Sequence, residues 1–229
     1  MYALLVLIIL FFFSFFHNLE AAEIQLQPKL SLSYRDLSYS AAPVKITGDV
    51  LSAGASLTLI RERFYLDFAG ENSIDNLQRN TQIAFDRQDI SVTLGYGIYD
   101  NVSLFTGFKQ GKTKIYSQSG VPDNIINLQE YGPYIGAGAG WRASENNIFS
   151  FTVAYADMQS KYQDATINSA RGDVSGTSLA IAWRWNMNKH LFSQLSMVRH
   201  DYFYENFDQI NFDIHEKILS IRASLAYQF

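Results

Sequence analysis

The 229-residue chain contains no cysteine, which excludes a disulfide framework, a thiolate-held zinc or iron–sulfur centre and a thiol nucleophile. Positive charge is scarce as well. Against 22 Asp and Glu stand 18 Lys and Arg, a net charge of -4, so there is no basic stripe to displace counterions from phosphates and no reason to expect nucleic acid as a partner. With 4 prolines and 17% charged residues the composition is far from that of a disordered tail. Beyond the first residues no stretch approaches the ~18 apolar residues of a helical membrane span. A mean hydropathy of -0.06 fits a soluble protein, and equally a membrane barrel whose strands show alternate residues to lipid and to water.

The chain opens on an apolar run, Ala3 to Phe16, shorter than the ~20 residues a spanning helix needs and ending in Glu20-Ala21-Ala22. This reads as a secretory signal over residues 1–22, cleaved after Ala21 or Ala22, ahead of one domain over residues 23–229.

Along that domain the dominant signal is alternation, the mark of a strand with two different faces. Ile90, Val92, Leu94, Tyr96 and Ile98 are separated by Ser91, Thr93, Gly95 and Gly97. Tyr131, Pro133, Ile135, Ala137, Ala139 and Trp141 alternate mainly with glycines. The same pattern runs through 149–155, 178–187 and 219–229, and less cleanly through 26–34, 50–59, 64–68, 102–108 and 191–204. Ten strands result, with no competing helical period. In the ninth neither parity is purely apolar, which suggests a bulge. Short spacers at 60–63, 100–101, 143–147 and 188–190 read as tight hairpins. Between them the segments near 35–48, 70–88, 110–128, 158–176 and 205–216 are long and polar. The expected fold is therefore all-β: a single antiparallel up-and-down barrel of about ten strands, with short turns on one rim and long loops on the other.

The interleaved positions decide which face meets which medium. They are Gly, Ser, Ala and Thr, too poor in charge for a solvated exterior and well suited to a narrow lumen. The bulky faces then point to lipid. Lys29, Asp67, Lys109, Arg184 and Arg222 are expected as lumenal charges, and Tyr65, Tyr99 and Tyr134 crowd the same space. Phe64, Trp141, Phe149, Trp185, Tyr227 and Phe229 lie beside the short turns, and Tyr34, Phe68, Phe108, Tyr131 and Tyr155 below the long loops, as two interfacial girdles would. From Tyr131 to Trp141 the rise is about 25 Å at a tilt of ~40°, the height of an outer-membrane apolar band.

The closing segment, Leu219-Ser220-Ile221-Arg222-Ala223-Ser224-Leu225-Ala226-Tyr227-Gln228-Phe229, resembles the C-terminal signature of bacterial outer-membrane β-barrel proteins, among them the small opacity-type porins and adhesins. The resemblance implies a Gram-negative outer membrane, contact with its lipid and lipopolysaccharide, and an assembly machinery that reads Tyr227 and Phe229. It leaves the extracellular ligand open.

Several readings of the chemistry follow. The leading one is a structural or porin-like protein with a narrow or plugged lumen and no enzymatic activity, whose loops contact something outside the cell. Asp213 and His215, spaced i and i+2, resemble the Asp-x-His pair of omptin proteases, but the second pair that those enzymes carry, Asp-x-Asp, is missing. A protease or lipid-modifying hydrolase is thus the alternative, with Asp213 and His215 as its candidate catalytic residues. His200 is a further acid–base candidate, while His190 and Ser193 have the wrong parity for one face. Asp201, Glu205, Asp208, Asp213 and Glu216 make the last loop acidic without a calcium-binding register, so neither metal nor cofactor is expected. Tyr202, Phe203, Tyr204, Phe207 and Phe212 in that stretch suggest either rings packed on the rim or an adhesive surface.

Overall fold

A computed structural model describes residues 24–77, 83–117 and 126–229. The signal segment, residues 1–22, lies outside the described residues. Among the described residues are ten strands: β1 (Gln25–Ala41), β2 (Val44–Arg61), β3 (Phe64–Asn76), β4 (Ile83–Tyr99), β5 (Val102–Ser117), β6 (Ile126–Arg142), β7 (Asn147–Gln163), β8 (Ala170–Asn186), β9 (Leu191–Glu205) and β10 (Ile214–Tyr227). Each pairs antiparallel with its sequence neighbours, and β1 closes on β10 to complete an up-and-down barrel. The short-turn rim matches the spacers, with two-residue turns at Glu62-Arg63 and Asp100-Asn101.

The bulky faces look outward. Val92, Trp183 and Ile221 keep 38–47% of their surface exposed, on the outer wall of a molecule whose small residues line the axis. The girdle residues Tyr34, Phe68, Phe108, Tyr131, Tyr155, Trp141, Phe149, Trp185, Tyr227 and Phe229 are all exposed, and Tyr96 and Trp183 join them.

The opposite rim differs from expectation. Instead of long loops, the strands continue: β1 and β2 are joined by Ala42-Pro43 alone, β7 and β8 by residues 164–169, β9 and β10 by residues 206–213. The cause is an inversion of parity where strands such as β1, β7 and β10 leave the bilayer. In β1 the apolar positions are Leu30, Leu32 and Tyr34, exposed on the outer wall, and then Leu37 and Tyr39, buried inside. In β7 they pass from Phe151, Val153 and Tyr155 outside to Ala156, Met158 and Tyr162 inside. β10 runs the other way along the chain, from the buried Ile214 and Ile218 to the exposed Leu219, Ile221 and Leu225. Within lipid the outer face is apolar, whereas above it the outer face is wet and the inner face must supply the core. A pattern search at fixed parity therefore reads the upper half as polar loop. Above the girdle the wall projects by about 18 Å, the rise of β1 from Tyr34 to Ala41 at ~3.3 Å per residue and ~40° tilt.

β9 holds an unbroken register with both β8 and β10, so the expected bulge is absent there. Its mixed parity comes from the inward Phe192, Tyr202 and Tyr204, which are buried in the lumen. Register shifts occur instead between Leu51 and Ser52 and between Gly97 and Tyr99.

Candidate functional site: the filled lumen

Arg87, on β4, is 1% exposed and stands at the centre of the upper lumen. Its Nη2 donates to Asp89 Oδ1 at 2.9 Å and Glu130 Oε1 at 2.6 Å, its Nε to Asp89 Oδ2 at 3.0 Å, and its Nη1 to Thr113 Oγ1 at 2.9 Å and Glu216 Oε1 at 2.5 Å. One guanidinium thus holds carboxylates from β4, β6 and β10. The Tyr204 hydroxyl, from β9, donates to Glu216 at 2.5 Å and lies 3.2 Å from Glu130, and the Tyr39 hydroxyl, from β1, donates to Glu216. Glu130 and Glu216 have no exposed surface. Charges so buried persist only when paired and hydrogen-bonded, as these are.

A second group continues the network toward the short-turn rim. Arg35 bridges Asp89 at 2.5 Å and Glu71 at 2.6 Å, and Glu71 also accepts from Ser33 and Arg222. Lys109 Nζ donates to the Tyr202 hydroxyl at 3.1 Å and lies 4.0 Å from Glu130. Two glycines make room. A Cβ on Gly111 would stand 1.9 Å from Glu130 Oε1, and one on Gly48 2.1 Å from the Phe85 ring. Wall positions that read merely as small are niches for the side chains filling the axis.

On the outer side of this network lies an apolar layer: Leu37, Val50, Phe85, Ile115, Leu128, Met158, Tyr162, Val174 and Ile214, none more than 6% exposed. Phe85 stacks on Tyr39, the ring whose hydroxyl enters the network, at 6.1 Å between centroids. Toward the other rim, the Tyr65 and Tyr134 rings lie over Gly95 and Gly107 of the neighbouring strands, and a cavity of about 930 Å³ lined in part by Tyr65 opens among the short turns. The chain is therefore a basin facing one side, with ion pairs and a packed apolar layer filling the other.

Of the sequence-predicted residues, Lys29, Asp67, Lys109, Arg184 and Arg222 all lie on inward positions. Lys109 and Arg222 join the ion-pair network. Asp67 accepts from Thr58 at 2.6 Å, and Arg184 lies over the Phe192 ring at 3.6 Å. Tyr99 does not crowd the lumen; it is 70% exposed at a turn. Tyr227 stacks on His190 and meets Phe229 edge to face, which ties the C-terminus to the β8–β9 turn.

Asp213 and His215 are not brought together. Asp213 is exposed beyond β10, while His215 points outward, bonds Asp201 and stacks on Phe203 at 4.0 Å. His200 faces inward, its Nδ1 2.6 Å from Ser178 Oγ and its ring on Tyr202. Glu216 leaves the expected acidic loop for the lumen, and among the described residues no group of three or more His, Cys, Asp or Glu could hold a metal ion. Phe207 and Phe212 pack edge-on against Tyr162 at the rim. The network's core, Arg35, Glu71, Arg87, Asp89, Glu130 and Glu216, was missed because these residues fall in or beside segments read as loops. For five of them the signal is parity, since Arg35 lies two residues from Leu37, Arg87 and Asp89 two and four from Phe85, Glu130 two from Leu128 and Glu216 two from Ile214 and Ile218, all buried; Glu71 has no buried apolar residue on β3.

Neither a family model nor a curated protein sequence matches this chain. Among solved structures, the outer membrane protease OmpT from Escherichia coli superposes with a TM-score of 0.59 at 12% identity, over 90% of this chain and 96% of that one. The chain shares the closed ten-stranded barrel fold of that outer-membrane protein. Ail, the attachment invasion locus protein of Yersinia pestis, reaches 0.42 at 10% identity over 89% of this barrel and 98% of Ail, and the P. putida toluene transporter TodX 0.35 at 6% over 91% and 90%. At such identities only the first likeness bears weight, and it speaks for the fold.

Proposed function

We propose that this barrel is a sealed scaffold of the outer membrane, which presents its projecting rim to a ligand outside the cell and passes no solute through its axis. The observation that carries this reading is the filled upper lumen: Arg87, Glu130 and Glu216 beneath an apolar layer, all within a few per cent of complete burial. A general diffusion pore needs the reverse, a wet axis at its narrowest point. The interaction surface is then the projecting wall and the rim segment 206–213.

Planar-bilayer recording of the refolded protein tests the first half, with no stable conductance expected; large steady channels would overturn it. Shortening residues 206–213 tests the second half. Cell-surface binding should fall while heat-modifiable gel migration is unchanged.

A further inference from the structure

Most of the lumenal charge is matched by pairing, and one cation is left over. Lys29 on β1 points inward beside the outward Leu30, at a depth where Leu30 and Ile221 belong to the apolar belt. Among the described residues it makes neither a hydrogen bond nor an ion pair, and the charges within its electrostatic reach, Asp67 and Arg222, are of opposite sign to each other. Asp67 accepts instead from Thr58 at 2.6 Å. An ionisable side chain at membrane depth marks a functional site, and its partner has to be found.

The space that Lys29 lines supplies the next observation. A cavity of about 220 Å³ lies in the lumen among Lys29, Ser31, Ser56, Ser91, Ser220 and Arg222, and it also meets Glu71 and Asp89. Both carboxylates are engaged: Glu71 accepts from Ser33, Arg35 and Arg222, and Asp89 from Arg35 and Arg87. The donors are not. Arg222 Nε and Ser56 Oγ are buried with no acceptor among the described residues, and the Lys29 ammonium adds three N–H groups in the same position. Buried polar atoms in native proteins are satisfied, so this cavity calls for an acceptor.

Charge decides which acceptor. The connected network sets four cations, Arg35, Arg87, Lys109 and Arg222, against four carboxylates, Glu71, Asp89, Glu130 and Glu216. The other charges on inward positions of the described wall are Lys29, Arg184 and Asp67, with Arg142 exposed at the short-turn rim. Two cations against one acid leave a single positive excess. Water would offer lone pairs and leave that charge uncompensated in a low-dielectric wall; one monovalent anion cancels it, and a divalent oxyanion would reverse it.

We infer that the cavity binds one small monovalent inorganic anion of the halide kind, held by Lys29 and Arg222 with Ser56 as a further donor. The packed upper lumen leaves the short-turn side as the route of entry, so the ion is a resident counter-ion and is not conducted. The site goes beyond the sealed-scaffold reading and draws on it for the route alone.

The test follows urea unfolding of the vesicle-inserted barrel in sodium chloride and in sodium gluconate at equal ionic strength, with anomalous diffraction from crystals grown in bromide to place the ion. Chloride should stabilise the wild type saturably, and bromide should stand in the cavity beside Lys29. K29M, which keeps the side-chain length and removes the charge, should bind chloride at least roughly tenfold more weakly. K29R should restore binding, and R184M, which removes a lumenal cation outside the cavity, should change it less than about threefold. Equal chloride dependence in wild type and K29M, or a cavity without bromide, would overturn the site. Bromide density with no saturable effect in solution would mark an adventitious ion only and overturn it as well. An anion current that K29M abolishes would uphold the site and refute the sealed lumen instead.

Discussion

Replacing Arg87 by Met keeps the volume of the side chain and removes the cation that three carboxylates share. Glu130 and Glu216, which have no exposed surface, lose the cation that offsets their desolvation, Glu130 keeping only Lys109 at 4.0 Å, and Asp89 retains only Arg35 as a direct ion-pair partner. Breaking a buried pair from one side costs about 3–5 kcal/mol, so the folded-to-unfolded ratio should fall roughly 150- to 4000-fold. Urea titration of vesicle-inserted protein, followed by tryptophan fluorescence and by heat-modifiable migration, measures this directly. Adding E130Q and E216Q to the Arg87 variant should recover most of the loss, because a neutral amide still bonds Tyr204 and carries no buried charge. A loss below about 1 kcal/mol in the single variant, or additive losses in the triple, would refute the claim that the lumen is held by this network.

Other consequences are more local. Gly111→Ala places a methyl group 1.9 Å from Glu130 Oε1 and should destabilise the barrel by about 1–3 kcal/mol, whereas Gly138→Ala, whose nearest atom would be 3.3 Å away, should cost far less in the same titration. Ile221→Arg puts a charge on the lipid face and should cost about 2–4 kcal/mol of insertion stability, while Lys217→Arg, beyond the belt, should change nothing measurable. At the rim, burial tends to raise the Asp164 carboxyl, but the amides of Ile167 and Thr166 and the Tyr162 hydroxyl outweigh it and hold the group below the usual aspartate range. Its contribution to the β7–β8 connection is thus present above the ordinary carboxylate pKa and lost as pH falls through the lowered value. A carboxyl chemical-shift titration should find a midpoint below ~3.9 that moves upward in Tyr162→Phe; no movement would remove that hydrogen bond from the explanation.

Strand count, closure and the outward direction of the bulky faces were legible in the sequence because lipid imposes one rule, apolar outside, over ten successive strands. Leu219, Ile221, Leu225 and Tyr227 obey it without exception. Above the bilayer the rule reverses, and Leu37, Tyr39, Met158 and Tyr162 satisfy the reversed version, which is why the upper wall passed for loop. Arg87 was illegible for a different reason. Alone in sequence it is a charged residue in a polar stretch, and only closure of the barrel brings β6 and β10 to it. The candidate pair Asp213 and His215 failed on the same ground, since the strand ends between them and His215 finds Asp201 on the neighbouring strand instead.

The inversion of parity is the account's central claim, and the absence of native cysteine makes it directly measurable. Single cysteines placed along β10 should fall into three classes. At 219, 221, 223 and 225 they should react with a membrane-soluble maleimide, at 215 and 217 with a charged aqueous reagent, and at 214, 216 and 218 with neither while the barrel is folded. Aqueous labelling at 216 and 218 as fast as at 215 and 217 would contradict a filled lumen, and the barrel would have to be redrawn with an open mouth.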